Sequence, residues 1–459
     1  MAVQTLVRKE TKTVERVLVF GAGLVAGTLV RYLLDQEGFQ VKVASRTLEK
    51  AQNLIGKAKN GSAEELNAND PAALDRLISE ADLSISLLPY VYHPLVARLC
   101  VAHCRPMVTT SYVKDEMRAL DKSAKEAGVI LLNEIGVDPG IDHMSAMQVI
   151  DRIREGGGKL VSFSSYCGGL PAPEANDNPF GYKFSWSPRG VLLAGKNPAR
   201  YLKDGEIINI PGEELFAHHW PVEIEGVGML EGYPNRDCLP YMDTYGIPDV
   251  KGMFRGTLRY PGWCETMKKI AELGLLDEVE RNDLVGLTLH GLAAKLVGSS
   301  GEALKKDLAS FLNVDENSKV ISDLEWLGFL SDVPLPEEVH SLFDILAARM
   351  LETMRYASGE RDMLIMQHEF VARYPDCTKK TTATLIDYEI PHGDSSMSRL
   401  VGLPAAVAAK LILQGEIDLV GVQVPLVPEI YKPVLDELSD MSIYFTEREE
   451  VISTRHDDQ

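Results

Sequence analysis

The chain has 459 residues, with 47 Lys and Arg against 67 Asp and Glu, a formal net charge of −20. That acidic excess excludes a nucleic-acid or anionic-membrane partner, which binds through surplus cations, but leaves room for a small anion held by a few local arginines. At 45% apolar residues the chain has the composition of a soluble globular protein of about three domains; no apolar run approaches the ~18 residues of a membrane span, "MAVQTLVRKETKTVER" lacks the apolar core of a secretory signal, and cysteines without paired zinc-ligand spacing read as reduced thiols. A cytoplasmic protein without a metal site is therefore expected.

"ERVLVFGAGLVAGTLVRYLL" predicts a buried parallel strand, a tight turn and a helix running to Leu33 or Leu34. Gly21, Gly23 and Ala26 fit the Gly-x-Gly-x-x-Gly/Ala fingerprint. Gly21 permits the sharp turn, Gly23 lets backbone amides approach a pyrophosphate, and the helix N-terminus adds partial positive charge. Such a fingerprint is weak alone, but here it follows a strand and precedes a βα repeat, which is its confirming context. The second strand, "VKVAS", ends in Ser45-Arg46-Thr47. An NAD site usually carries a carboxylate there for the ribose 2′-hydroxyl, and none occurs before Glu49. Arg46 and the two hydroxyls suit a 2′-phosphate, so NADP is expected over NAD; the alternative for Arg46 is an ordinary solvated charge.

"LSISLL", "MVTTSYV" and "VILLNEIGVDPGIDH" predict further buried strands. "HPLVARLCVAHC" predicts a helix with Pro94 in its first turn. In open α/β sheets ligands bind outside the carboxyl ends of strands, so residues 87–90, 110–112 and 136–140 are expected to line one crevice. "VSFSSYCGG" predicts a strand turned by "GGLPAPE", with "NPFGYKFSWSPRG" leading into a helix and walling a cleft. "CETMKKIAELGLL", "GEALKKDLASFL" and "HSLFDILAARMLETM" carry helical apolar spacing. "RDMLIMQHEF" and "TATLIDYEI" predict strands, and "SMSRLVGLPAAVAAKLILQ" a late helix.

The segments "ISLLPYVYHPLV", "VTTSYV", "NEIGVDPGIDHMSAM", "SYCGGLPAPE", "NPFGYKFSWSPRGVL", "EGYPNRD" and "FRGTLRY" closely resemble the saccharopine dehydrogenases of the L-glutamate-forming type, over almost the whole stretch from Val17 to Thr446. "ASRTLEKA" resembles the NADP-using fungal members; the NAD-preferring animal domain has an acidic residue near that position. The N-terminal arm is longer than the fungal pattern. The resemblance implies an α/β protein: a variant Rossmann NADP domain from residues 1–140 with 395–459, a sequence-split α/β substrate domain from 141–262 with 356–394, and a mainly helical insertion over 263–355. A homodimer is also expected.

The implied reaction takes saccharopine, a secondary amine joining lysine and glutamate skeletons, NADP+ and water to glutamate, 2-aminoadipate 6-semialdehyde and NADPH, or runs in reverse. Cations must hold three carboxylates, a group must handle the amine proton, and the reacting carbon must be oriented. The resemblance carries the cofactor onto Gly21, Gly23, Leu24, Val25, Ser45, Arg46, Thr47, Leu88, Pro89 and Ser187. It carries the substrate onto Ser111, Tyr112, Asp138, Arg236, Thr257, Leu258 and Arg259. Arginine suits a carboxylate because its planar fork makes two parallel hydrogen bonds; the alternative is a structural ion pair with Asp237 or Glu231. Tyr112, Asp138 and Cys167 match residues beside the reacting amine. Asp138 is the preferred base, its alternative being a helix cap, and a neutral thiol at Cys167 is a poor acid. His143 reads as a packing or hydrogen-bonding residue rather than a proton shuttle, and His93 as shaping its loop. Two other readings are open to the sequence: a carboxynorspermidine- or homospermidine-type enzyme, and a catalytically silent NADP-binding regulator.

Overall fold

Short runs of branched and aliphatic residues build a parallel sheet at the start of the chain. Its strands are β1 (Glu15–Phe20), β2 (Phe39–Ser45), β3 (Gly61–Glu65), β4 (Leu83–Ser86), β5 (Met107–Thr109) and β6 (Ile130–Leu132), joined late in the chain by β15 (Gly421–Gln423). The order is β15-β6-β5-β4-β1-β2-β3, and every pairing is parallel. Because β1 lies between β2 and β4, chain direction across the sheet reverses there, the switch point at which doubly wound sheets hold ligands. The computed structural model describes residues 14–336 and 339–454, so residues 1–13 of the N-terminal arm lie outside the described residues.

The chain forms two compact units. The first joins this sheet to residues 398–443. The helix Ser396–Leu413 is long and apolar enough to cross a membrane by composition, which the search for uninterrupted apolar runs missed because serines, Arg399 and Lys410 break it up. Its apolar window is 78% buried, the mark of a core helix, and Leu400, Leu403 and Ala405–Ala409 are among its buried residues.

The second unit, residues 149–397 with 444–459, centres on a nine-stranded sheet. It contains β7 (Lys159–Pro171), β8 (Ala199–Lys203), β9 (Glu206–Ile210), β10 (Trp220–Ile224), β11 (Gly228–Pro234), β12 (Gly252–Arg259), β13 (Asp362–Arg373), β14 (Cys377–Tyr388) and β16 (Thr446–Thr454). The main path runs β10-β11-β12-β7-β13-β14-β16, with β8 and β9 attached beside β12.

Two expectations are corrected here and one is met. Residues 446–454 do not belong with the Rossmann-type sheet: β16 pairs antiparallel with β14, Thr384 opposite Thr446. The helical insertion expected over 263–355 is present, and it packs on the substrate sheet. Helices Trp263–Glu272, Leu289–Val297, Leu304–Leu312, Lys319–Trp326 and Leu342–Thr353 contribute to one continuous apolar core with Tyr166, Leu170, Tyr233 and Leu258 of the sheet, so no solvated boundary divides them. Finally, Gly168-Gly169 does not turn the chain. Both sit inside β7 opposite Ile365 and Leu364. A Cβ at Gly168 would lie 2.8 Å from that of Leu258, and one at Gly169 would lie 2.4 Å from the Met397 methyl; these glycines admit close neighbours within a strand.

Asp362 opens β13 and is buried, its carboxylate accepting from the backbone N–H of Ser396 (2.6 Å) and of Met397 (3.0 Å). Burial, reinforced by nearby Glu389, raises its pKa from 3.8 to about 6 despite those two donors. A raised carboxyl pKa favours the protonated native state, so this stabilising contribution is complete below pH ~4 and is lost as pH rises through ~6. Two pH units correspond to roughly 3 kcal/mol. Asp362→Asn should flatten the pH 4–6 slope of the unfolding free energy by about that amount, as denaturant titrations across the window will measure; an unchanged slope would refute the assignment.

Candidate active site

The carboxyl ends of the parallel strands gather the predicted cofactor residues of the first unit. Gly21, Gly23, Leu24 and Val25 join β1 to the helix Ala26–Leu34. Gly21 has φ +106°, and a Cβ there would come 3.2 Å from the Leu87 carbonyl oxygen, so the turn needs glycine on both counts. A Cβ at Gly23 would meet nothing within 4 Å, and no side chain caps the helix that follows. The Ala26 amide donates to the Gly23 carbonyl at 3.1 Å, and the N-terminal amides after it are left for a ligand. Ser45 ends β2, Arg46 and Thr47 are exposed, and Arg46 makes no ion pair among the described residues. Leu88 and Pro89 follow β4. These features fit a dinucleotide with a 2′-phosphate.

Ser111 and Tyr112 follow β5, and Asp138 follows β6. The Tyr112 hydroxyl donates to Asp138 Oδ1 at 2.8 Å, and both residues are half-buried. Behind them lies buried scaffolding. Glu134 accepts from the Val113 amide (2.8 Å) and lies 2.9 Å from His143 Nε2, while the Glu134 amide donates to the Ser111 carbonyl. This carboxylate therefore clamps the turn that carries Tyr112. His143 thus hydrogen-bonds in the core, as expected, whereas Glu134 carries no sequence signal because its partners lie on separate segments.

The remaining candidates belong to the second unit. Thr257 on β12 is registered against Cys167 on β7 and Tyr233 on β11. Leu258 and Arg259 complete β12, and strand alternation places Thr257 and Arg259 on one face. Arg259 is 6% exposed. Its guanidinium lies 4.7 Å from the ring centre of Tyr182 and 5.4 Å from that of Trp263. One terminal nitrogen donates to the Leu258 carbonyl at 2.7 Å, and Nε has no hydrogen-bond partner.

Neither acid suggested as a structural partner of Arg259 serves it. Glu231 is opposite Arg259 in the β11–β12 register, but accepts from the amides of Gly262 (3.1 Å) and Cys264 (2.6 Å) and so caps the helix Trp263–Glu272. Asp237 lies 3.6 Å from Arg200. Among the described residues, Arg259 makes no salt bridge with a carboxylate. The loop read as a cleft wall, "NPFGYKFSWSPRG", instead supplies Phe180, Tyr182 and Phe184 to the core around this cation.

Arg236 stands outside the buried cluster, exposed at φ +60° in the loop after β11, its carbonyl accepting from the Arg200 amide. The Ser187 hydroxyl accepts from the Gly190 amide at 3.3 Å and caps the helix Pro188–Ala194. No group of metal-ligating side chains occurs among the described residues.

Two family models together match most of the chain. Residues 17–132 match the model of the saccharopine dehydrogenase NADP binding domain, and residues 136–443 that of the saccharopine dehydrogenase C-terminal domain. Saccharopine dehydrogenase (NADP+, L-glutamate-forming) of Schizosaccharomyces pombe is 40% identical over 94% of this chain and 98% of its own. The Saccharomyces cerevisiae protein of the same name is also 40% identical, over 95% and 99%. The mitochondrial alpha-aminoadipic semialdehyde synthase of Bos taurus is 39% identical over 95% of this chain, which spans 48% of that protein. The solved apo structure of the Saccharomyces cerevisiae enzyme, L-Glu forming, superposes with a TM-score of 0.88 over 95% of this chain and all of its own, at 38% identity. The chain belongs to the saccharopine dehydrogenase family.

Proposed function

We infer that this chain interconverts L-saccharopine, NADP+ and water with L-glutamate, L-2-aminoadipate 6-semialdehyde and NADPH. The observation that carries the reading is the buried Arg259 guanidinium, set beside the Tyr182 and Trp263 rings with no carboxylate partner among the described residues and an unused Nε–H. A buried cation without a counter-charge is costly, and a multiply anionic amino acid would supply one. Arg259 binds a substrate carboxylate in this proposal, and exposed Arg236 engages another at the rim.

NADP is the cofactor. Gly21, Gly23, Leu24 and Val25 would hold its pyrophosphate, Ser45, Arg46 and Thr47 its 2′-phosphate, and Leu88 and Pro89 its nicotinamide half; when bound it supplies the hydride acceptor. Asp138 and Tyr112 form the proton-handling pair, with Tyr112 orienting the carboxylate toward the substrate amine. Cys167, registered beside Thr257, shapes the pocket and is not asked to act as an acid. Ser187 serves through its helix cap. All six cysteines are free, which fits the cytoplasm. The homodimer is carried forward on one support, the unpaired outer edge of β16 among the described residues, and sedimentation will test it.

NADPH formation should be followed with saccharopine, lysine, carboxynorspermidine and homospermidine, each with NADP+ or NAD+. Saccharopine with NADP+ is the expected pair. Cofactor binding without turnover of saccharopine would sink the reaction and favour a silent regulator. In the same assay Arg46→Asp should cut the NADP+ over NAD+ preference by roughly 10- to 100-fold, the worth of a charge-assisted hydrogen bond.

A further inference from the structure

We propose that His93 is a positioning residue that turns the Ser111 hydroxyl proton outward, making it a donor to a carboxylate oxygen of the substrate. The inference rests on the substrate reading above. It follows from counting protons in a buried cluster of three hydroxyls and one imidazole at the carboxyl ends of β4 and β5. The parallel register sets Ser86 beside Thr109, and His93 opens the helix His93–Ala102 immediately after that strand end. Ser86, His93 and Thr109 are buried, whereas Ser111 is half-buried and reachable.

The Thr109 hydroxyl donates to the Ser86 carbonyl at 2.9 Å, so its single proton is committed. Its oxygen can then only accept at its 3.3 Å contact with His93 Nε2. An Nε2–H can be shared between this oxygen and that of Ser111, whereas a bare Nε2 could accept only from Ser111 and would set its lone pair against that of Thr109. Nδ1 lies 3.0 Å from the Ser86 Oγ. With Nε2–H, neutral Nδ1 accepts from the Ser86 hydroxyl. The opposite tautomer would donate from Nδ1 and leave the buried Ser86 proton without an acceptor, a loss that proteins avoid. Both arguments select the Nε2–H form independently. Burial, which holds the imidazole well below its ordinary pKa, at about 4, keeps it neutral.

Nε2 is also 2.9 Å from the Ser111 Oγ. Since Nε2–H donates, Ser111 accepts, and the serine's own proton has no acceptor among the described residues. An uncommitted donor at the carboxyl end of a sheet strand, beside the Tyr112–Asp138 pair, is placed for an anionic oxygen. His93 thus acts through Ser111 without touching the substrate.

The tautomer is read first, on the cofactor-free full chain labelled with 15N in its histidine rings, at pH 7.5, with His93 assigned by its loss in His93→Gln. Long-range 15N–1H correlations should show the Nε2–H form; an Nδ1–H or doubly protonated ring overturns the proposal. Kinetics give the second arm. Ser111→Ala should raise the KM for saccharopine about 10- to 100-fold, the loss of a hydrogen bond to a charged group, with kcat changed far less. His93→Leu should match it, and the double variant should be no worse than either. His93→Gln retains one donor and one acceptor and should restore most of the affinity, which general damage to packing would not. An unchanged saccharopine KM in Ser111→Ala, a selective loss of NADPH affinity in its place, or additive single effects would each overturn the proposal. The tautomer is measured without substrate, so failure of the reaction assignment would show separately, as absent turnover by the native enzyme. If His93→Leu does not fold, the spectrum and the Ser111→Ala and His93→Gln pair still decide the question.

Discussion

Arg259→Met is expected to raise the KM for saccharopine roughly 10²- to 10³-fold, the range for removing one partner of a buried charge pair, while leaving the thermal stability of the ligand-free enzyme unchanged or higher. The two signs must be read together. In the free chain the guanidinium has one carbonyl acceptor, no carboxylate and an orphaned Nε–H. Facing rings at 4.7 and 5.4 Å offset part of the cost, each such contact being worth about 0.5–2 kcal/mol. Methionine keeps the length and apolar contact of the side chain while discarding its charge. A structural arginine would behave oppositely: its removal would destabilise the fold by ~3–5 kcal/mol and leave KM nearly untouched. Steady-state kinetics and thermal unfolding on the same preparations separate the cases. A clear fall in Tm with unchanged KM would reject the substrate role.

The first unit was readable because its signals are local. Strand, glycine turn and helix lie within twenty residues of one another from Glu15 to Leu34, and the positive φ at Gly21 is a demand of that local turn. The second unit was less readable because its decisive contacts are distant in sequence. Tyr182 and Trp263 come from separate segments to pack on each other and beside Arg259, so nothing local shows that the aromatic loop feeds the core. Gly168-Gly169 carries turn chemistry, yet β13 pairs straight through it. Glu231 looked like a salt-bridge partner, but the start of a helix 31 residues away claims it. The Ser86–His93–Thr109–Ser111 cluster was invisible for a related reason: only the β4–β5 register brings its hydroxyls onto one ring. Motif resemblance located the candidate residues; it did not reveal what holds them.

Asp138→Ala should lower kcat/KM for saccharopine by ~10²- to 10³-fold, and by less than the ~10⁴-fold upper range of general acid–base catalysis, because the substrate carries an amine that can itself take part in proton transfer. The Tyr112 hydroxyl donates to Asp138 at 2.8 Å, so the two act as a unit, and residues in one hydrogen-bonded network are not additive. Tyr112→Phe should therefore cost less than Asp138→Ala, and the double variant should resemble Asp138→Ala alone. The rival account makes Asp138 a cap for the helix Ile141–Glu155. Loss of a cap costs ~0.5–2 kcal/mol of stability and would lower Tm without a matching loss of rate in the folded enzyme. The cap region has support of its own, since Asp142 accepts from the Gly140 amide at 2.6 Å; Asp138→Ala should accordingly leave unfolding nearly unchanged. A double-mutant cycle on kcat/KM, with unfolding curves for all four proteins, tests both. Additive effects of the two substitutions, or a rate loss that vanishes after correction for unfolded enzyme, would remove Asp138 from the chemistry.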